Sequence, residues 1–394
     1  MGKTVHFILN SPFPNYTGGR ETWLFNVASR LASAECPIRI YTTQNNELPQ
    51  SFTIENPHVE IFRVKTLMSY SFFRKILRSY LVILESFALV ISIFLCMRRH
   101  VIMHDIVITL GPLDESVVAR WLRHISKCKF ICSVRGFHAA VMTNRYPLLK
   151  RFWYHLEWSS LRVADRVWCN GHDTVEYVRK MGFEAEFMPN GVDVGHYISH
   201  AMDCKPEFEK DKRLFSDRTK RYIVSTATLL PIKGVKELID AASLLKKRLL
   251  KSWQIVWVGK GDPTPYIAYG KQRGLDDEVV FIGERVDTAP YLGAADIVAC
   301  LSGGGGLSMA ALEAMASGRI IVAWDSAVYR QLLIHNNSAF LVEENNSVKL
   351  ADALEELIQS YDNYNIMGIE AQKAALPYDW GNVVKRVRQE IALK

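Results

Sequence analysis

Leu301-Ser302-Gly303-Gly304-Gly305-Gly306-Leu307-Ser308-Met309-Ala310-Ala311-Leu312-Glu313-Ala314-Met315-Ala316-Ser317-Gly318 decides how this chain of 394 residues is read. An apolar run ends, four glycines follow, and an Ala-rich and Leu-rich stretch carrying one glutamate comes next, which spells strand, turn and helix. Glycines lack the Cβ that keeps an anion away from backbone amides, and a helix capped by Ser308 aims its unpaired amides and positive dipole end at the same point. The stretch therefore reads as a cradle for a diphosphate.

On either side of it, Val-rich and Ile-rich runs alternate with helical patterns. The first series is Val5 to Leu9, Ile38 to Thr42, Val59 to Val64, Asp105 to Leu110, Phe130 to Val134 and Val167 to Cys169. After Asn190 the rhythm restarts with Tyr222 to Thr226, Gln254 to Val258, Val279 to Ile282, Ile297 to Leu301 and Ile320 to Trp324. Such alternation predicts α/β structure with parallel sheets covered on both faces. The expected architecture is two doubly wound domains facing across a cleft, with ligands at the carboxyl ends of the strands. The charged stretch Asp203 to Arg221 reads as a linker.

With 49% hydrophobic and 23% charged residues the chain can bury two cores, and disorder is excluded. The net charge of +7 is carried by the first half: residues 1–200 hold 23 Lys and Arg against 16 Asp and Glu, and residues 201–394 hold 25 of each. Residues 61–151 alone hold 15 basic and 4 acidic side chains. This balance suits an anionic membrane surface or a phosphorylated acceptor, and no recognition motif points to nucleic acid. Seven cysteines without metal-type spacing read as reduced thiols, and the N-terminus enters a strand pattern without a signal peptide or myristoylation site. The expected location is cytoplasmic, peripheral on the inner face of the membrane.

Residues 80–97 are almost entirely apolar, interrupted by Glu85, Ser86 and Ser92. Three readings stay open: a core helix, a helix packed on the sheet with an apolar flank against lipid, and a membrane span, against which Glu85 argues.

Several turns carry candidate chemistry. Gly18-Gly19 after the first strand reads as a tight turn or a phosphate-accepting loop. Ser133-Val134-Arg135-Gly136-Phe137-His138 brings Arg135 and His138 to one strand end, either as a surface Arg and a partly buried His or as a site. Pro189-Asn190-Gly191-Val192-Asp193 is a turn by its own chemistry. Pro231-Ile232-Lys233-Gly234 sets Lys233 at a strand-to-helix junction, as a solvated lysine or a point charge for a diphosphate.

In this order and spacing the motifs resemble the GT4 family of retaining glycosyltransferases across essentially the whole chain, most strongly over residues 222–345. The resemblance implies a GT-B fold of two Rossmann-like domains, an acceptor-binding one at 1–195 joined by a crossover helix at about 378–394, and a donor-binding one at 215–377. It implies a nucleotide-sugar donor and a glycan or lipid-linked acceptor in polysaccharide, lipopolysaccharide or glycolipid assembly, with no metal or other cofactor. Arg135, His138 and Lys233 become the catalytic candidates. Gly18, Gly19, Lys233, Gly305, Leu307, Ser308, Met309 and Glu313 become donor-binding candidates, Glu313 gripping the ribose. The chain departs from the family at Gly305, where a first glutamate is usual, and at Thr228, where an arginine is usual. These departures motivate the alternative of a catalytically degenerate GT-B protein that binds nucleotide or glycan, or scaffolds an active partner.

Overall fold

A computed structural model describes residues 3–12, 18–43, 54–64, 81–136, 140, 142, 144, 149–202, 214–217, 219–249, 252–303 and 305–392. The chain divides into two compact units, 1–190 with 383–394 and 191–382. The sequence reading drew these boundaries at 195 and 378. The first differs because the helix Val194–Met202 packs on helices of the second unit, Ala289–Ala294 and Met309–Ala316, and the second because Tyr378 and Trp380 bond to Val192 of that unit.

The first unit is built on seven strands: β1 (Val5–Pro12), β2 (Ile38–Thr43), β3 (Val59–Val64), β4 (Ile106–Thr109), β5 (Lys129–Val134), β6 (Arg166–Cys169) and β7 (Glu186–Phe187). They lie in the order β3-β2-β1-β4-β5-β6-β7, with every pairing parallel. Parallel pairing needs crossovers, and helices then cover both faces, so residues 5–9 of β1 and all of β4 are buried, apolar but for His6 and Thr109. The helix Gly19–Leu31 turns Trp23, Leu24, Val27, Ala28 and Leu31 inward, the face that its periodicity predicts.

The second unit repeats the plan with β8 (Arg221–Thr226), β9 (Trp253–Val258), β10 (Val279–Gly283), β11 (Ile297–Cys300), β12 (Ile320–Trp324) and β13 (Phe340–Val342). Its order is β10-β9-β8-β11-β12-β13, again parallel throughout. In each sheet the winding reverses beside the first strand, between β1 and β4 and between β8 and β11. At such a reversal the flanking loops part and leave a crevice at the carboxyl ends.

The helix Leu81–Met97 settles one of the open alternatives. It buries Leu89, Val90, Ile93 and Met97, and Phe94 meets Trp121 edge-on with ring centroids 5.3 Å apart. Phe87, Ile91 and Leu95 remain 59%, 37% and 45% exposed. The fully buried reading is thus corrected to a helix with one apolar flank outside the core. No helix among the described residues is long and apolar enough to cross a membrane.

The chain passes between the units at Asn190 and again at Asn382. Near the first crossing Gly191 lies against Trp380, whose ring a Cβ on residue 191 would strike at 2.4 Å. Val192 N–H donates to Tyr378 O at 2.9 Å and Trp380 N–H to Val192 O at 3.1 Å. The outgoing and returning segments are therefore paired side by side.

Candidate functional site

In the second unit the β8 and β11 loops are tied together at the reversal point. After β8 the chain makes a short turn, Pro231–Lys233, ended by Gly234 at φ 74° before the helix Val235–Arg248. After β11 it runs through Leu301 and Ser302 into the glycines. Gly303 N–H donates to Ile232 O at 2.8 Å. Gly234 lies so close to Leu301 that a Cβ would meet the Leu301 Cβ at 2.5 Å. Gly234 is required by its left-handed backbone and close approach to Leu301, whereas at Gly303 a Cβ would come within 3.3 Å of the Ile232 side chain.

The glycine turn is held from below. Ser302 N–H donates to the buried Tyr329 hydroxyl at 2.9 Å, and Gln331 Nε2 donates to Gly306 O at 3.2 Å. Ser308 caps the helix Met309–Ala316, its hydroxyl accepting from Ala311 N–H at 3.2 Å. Lys233 is half-buried, and its ammonium has no partner among the described residues. Burial alone draws its pKa below the ordinary lysine value, as expected for a cation with no anion beside it. Laced glycine loop, capped helix and a lysine without a partner among the described residues are together able to hold an anion.

Glu313 stands one turn further along that helix. Thr288 donates to its carboxylate at 3.2 Å, and the Tyr197 hydroxyl lies 2.9 Å from Thr288 Oγ. Burial pushes the Glu313 pKa up to about 7, with the Asp287 charge adding to the rise and the Thr288 bond opposing it. A carboxylate so placed, accepting one hydroxyl already, is a receptor for further hydroxyls. Sequence reasoning missed Thr288 and Tyr197, because nothing in local spacing connects either to a residue 25 or more positions away.

In the first unit Arg135, just after β5, is sandwiched among neutral groups. Its guanidinium carbon lies 3.9 Å from the Trp23 ring centroid, Nη1 donates to Asn190 Oδ1 at 2.8 Å, and Nε donates to Ser133 Oγ at 3.1 Å. Nη2 is buried without a partner among the described residues. Burial, with the neighbouring Arg20 charge, lowers its pKa to about 9. Beside it Arg20 pairs with the buried Glu115 at 3.2 Å, and Glu115 also accepts from Asn10 N–H at 3.2 Å.

Gly18 and Gly19 open the helix Gly19–Leu31, but their surroundings differ from those of the second glycine turn. The Glu21 carboxylate folds back so that a Cβ on Gly18 would lie 2.1 Å from its Oε2, and Ser11 Oγ donates to the same carboxylate. That helix end already faces a carboxylate of its own.

The structure brings Lys233, Ser308, Met309 and Glu313 into one region of the second unit, with Leu307 buried and Gly305 exposed in the turn. Thr228 is exposed in the loop after β8. Gly18, Gly19 and Arg135 belong to the first unit, and His138 lies outside the described residues. Burial raises the Cys132, Cys169 and Cys300 thiols to about 12, which makes them inert.

Comparison with known proteins gives two matches to family profiles. The profile described as Glycosyltransferase Family 4 matches residues 17–196, and the one described as Glycosyl transferases group 1 matches residues 206–374. A phosphatidyl-myo-inositol mannosyltransferase of Mycobacterium leprae is 28% identical over 213 residues, 52% of this chain and 53% of the relative. The chain spans about half the length of the relatives that head this comparison. Among solved structures, sucrose-phosphate synthase from Thermosynechococcus elongatus superposes with a TM-score of 0.81 at 17% identity, covering 99% of this chain and 98% of that one. Anabaena HepE in complex with UDP and glucose superposes with a TM-score of 0.75 at 17% identity, covering 99% of both chains. These likenesses establish the GT-B fold.

Proposed function

The chain belongs to the GT4-type glycosyltransferases, and on that premise we propose that it moves a sugar from a nucleotide-sugar donor to a glycan or lipid-linked acceptor with retention of anomeric configuration. The observation that carries this reading is the Gly303 N–H bond to Ile232 O, which draws the Lys233 turn and the capped glycine helix to one crevice. The matching relatives are named as glycosyltransferases and mannosyltransferases, which favours a transferase over a noncatalytic relative, despite Gly305 and Thr228.

In this reading the donor diphosphate lies against the Ser308 and Met309 amides and Lys233. Preorganised dipoles and one lysine charge stabilise the departing diphosphate as it leaves the sugar, and no metal is required for that step. Glu313 receives the ribose hydroxyls. No carboxylate pair at double-displacement geometry is assigned, so the attack is taken to occur on the same face, assisted by the leaving phosphate.

The acceptor class is supported by the relatives, which include a phosphatidyl-myo-inositol mannosyltransferase and a lipopolysaccharide core mannosyltransferase of Rhizobium meliloti. A cytoplasmic protein resting on an anionic membrane fits the basic first half and the apolar flank Phe87, Ile91 and Leu95.

The test is a donor screen. Purified protein is incubated with UDP-linked and GDP-linked sugars and a membrane lipid extract, then nucleoside diphosphate release and product mass are read. One donor should release diphosphate with a matching mass increment in a lipid or glycan. Failure of every donor to do so would remove the proposal.

A further inference from the structure

His196 and His200 sit four residues apart on the helix Val194–Met202, so they share a face. Their rings lie 4.5 Å apart between centroids. Asp287, on the loop before the helix Ala289–Ala294, meets them there, with both carboxylate oxygens 3.0 Å from His196 Nε2. One ligand atom from each of the three residues falls within 4.8 Å of the others. We propose that these residues form a binding site for a divalent transition cation of the zinc type.

Two details favour a ligand set over a simple ion pair. His200 Nδ1 lies 2.9 Å from the His196 backbone carbonyl. A carbonyl only accepts, so Nδ1 carries the proton and Nε2 keeps its lone pair, the arrangement found in metal-ligating histidines. Asp287 Oδ1 in turn accepts from Ala289 N–H at 2.9 Å, which orients the carboxylate.

The dimensions also fit. Tetrahedral ligands about 2.1 Å from zinc stand ~3.4 Å apart, so small side-chain shifts close the present spacing. The cation takes the place of the proton between His196 Nε2 and Asp287: an imidazolium loses that proton to solvent, and a neutral Nε2–H imidazole shifts it to Nδ1. Two neutral imidazoles, one carboxylate and a water complete four ligands.

The cation lies outside the transfer chemistry and acts as a bolt. Tyr197 and Thr288, each adjacent in sequence to a ligand, form the 2.9 Å contact whose threonine supports Glu313. Fixing His196 to Asp287 fixes that contact.

The experiment titrates the chelator-treated full-length protein with zinc chloride by calorimetry and repeats it with His196→Ala, His200→Ala and, as a control in the first unit, His172→Ala. The wild type and His172→Ala should bind one zinc and gain thermal midpoint. His196→Ala and His200→Ala should each lose at least tenfold in affinity and the midpoint gain. His200→Ala keeps the His196 and Asp287 pair, so an ion-pair clip alone leaves its stability unmoved by zinc in both proteins. Absence of zinc binding to the wild type, or affinities within twofold in both site variants, would overturn the proposal.

Discussion

Arg135 sits over the Trp23 ring, and the two side chains hold adjacent residues at the end of the first unit. The guanidinium carbon sits 3.9 Å from the ring centroid; Trp23 Nε1 donates to Pro189 O at 3.1 Å while Arg135 donates to Asn190 at 2.8 Å. A half-buried arginine with one buried nitrogen that has no partner among the described residues, and a pKa lowered to about 9, is costly to keep, so a purely structural role is poorly served by it. Replacing Arg135 with Met should leave the thermal midpoint within a few degrees and reduce kcat about 100-fold or more, a loss typical of removing one charge-stabilising donor. Steady-state kinetics beside a melting curve check this; unchanged kcat would return Arg135 to the core.

Glu313 gives a pH prediction with a definite sign. Its folded pKa is raised to about 7 from an ordinary 4.5, mainly by burial. Between those values the folded state holds a proton that the unfolded chain has released, so this residue makes stability fall as pH rises, approaching ~1.4 kcal/mol per unit. The contribution is flat below 4.5 and above 7. Glu313→Gln should remove the slope, seen as a wild-type minus variant difference in thermal midpoint that shrinks from pH 4.5 to 7. Nucleotide affinity in the wild type should strengthen from pH 6 to 8 as the carboxylate ionises, and the variant should lose that trend.

How much of this was legible beforehand depends on the range of the interaction. The eleven longer strands, the capped glycine turn and the apolar face of the helix Gly19–Leu31 are written in local periodicity and turn chemistry. β7 and β13, two and three residues long, carry no run to read. Lys233 could be placed by its turn, but its lack of a counterion is a property of the folded surroundings. Thr288 at Glu313 and Trp23 under Arg135 arise where the fold joins segments 25 and 112 residues apart, and no spacing rule reaches that far. The Gly18-Gly19 turn carries the same local signal as the glycine run, and the Glu21 carboxylate folded against it is a contact that the glycine pair alone does not announce.

Gly234 and Gly274 offer a controlled comparison. Both have left-handed backbones, φ 74° and 75°, but alanine at 234 would meet Leu301 at 2.5 Å whereas at 274 nothing lies within 4 Å. Gly274→Ala should cost about 1 kcal/mol, the conformational penalty alone. Gly234→Ala adds a backbone clash and should cost about 3 kcal/mol. Because Leu301 leads directly into the glycine turn, it should also weaken nucleoside diphosphate binding at least tenfold. Denaturant titration and calorimetry on both variants read the two effects separately.

Membrane contact is tested on the exposed flank of the helix Leu81–Met97. Phe87, Ile91 and Leu95 recur at four-residue spacing, each more than a third exposed, while Leu89, Val90 and Ile93 hold the helix in the core. Exposed Arg98 and Arg99 follow directly and suit anionic headgroups. Burying each apolar side chain in lipid contributes on the order of 1–2 kcal/mol, so three together outweigh what two surface arginines supply. Wild-type protein should float with liposomes containing anionic lipid and partly release at high salt. The triple change Phe87→Ser, Ile91→Ser, Leu95→Ser should stay in the soluble fraction with its thermal midpoint and nucleotide affinity intact, since none of the three supports the core. Equal flotation of both proteins would move the membrane contact elsewhere on the molecule.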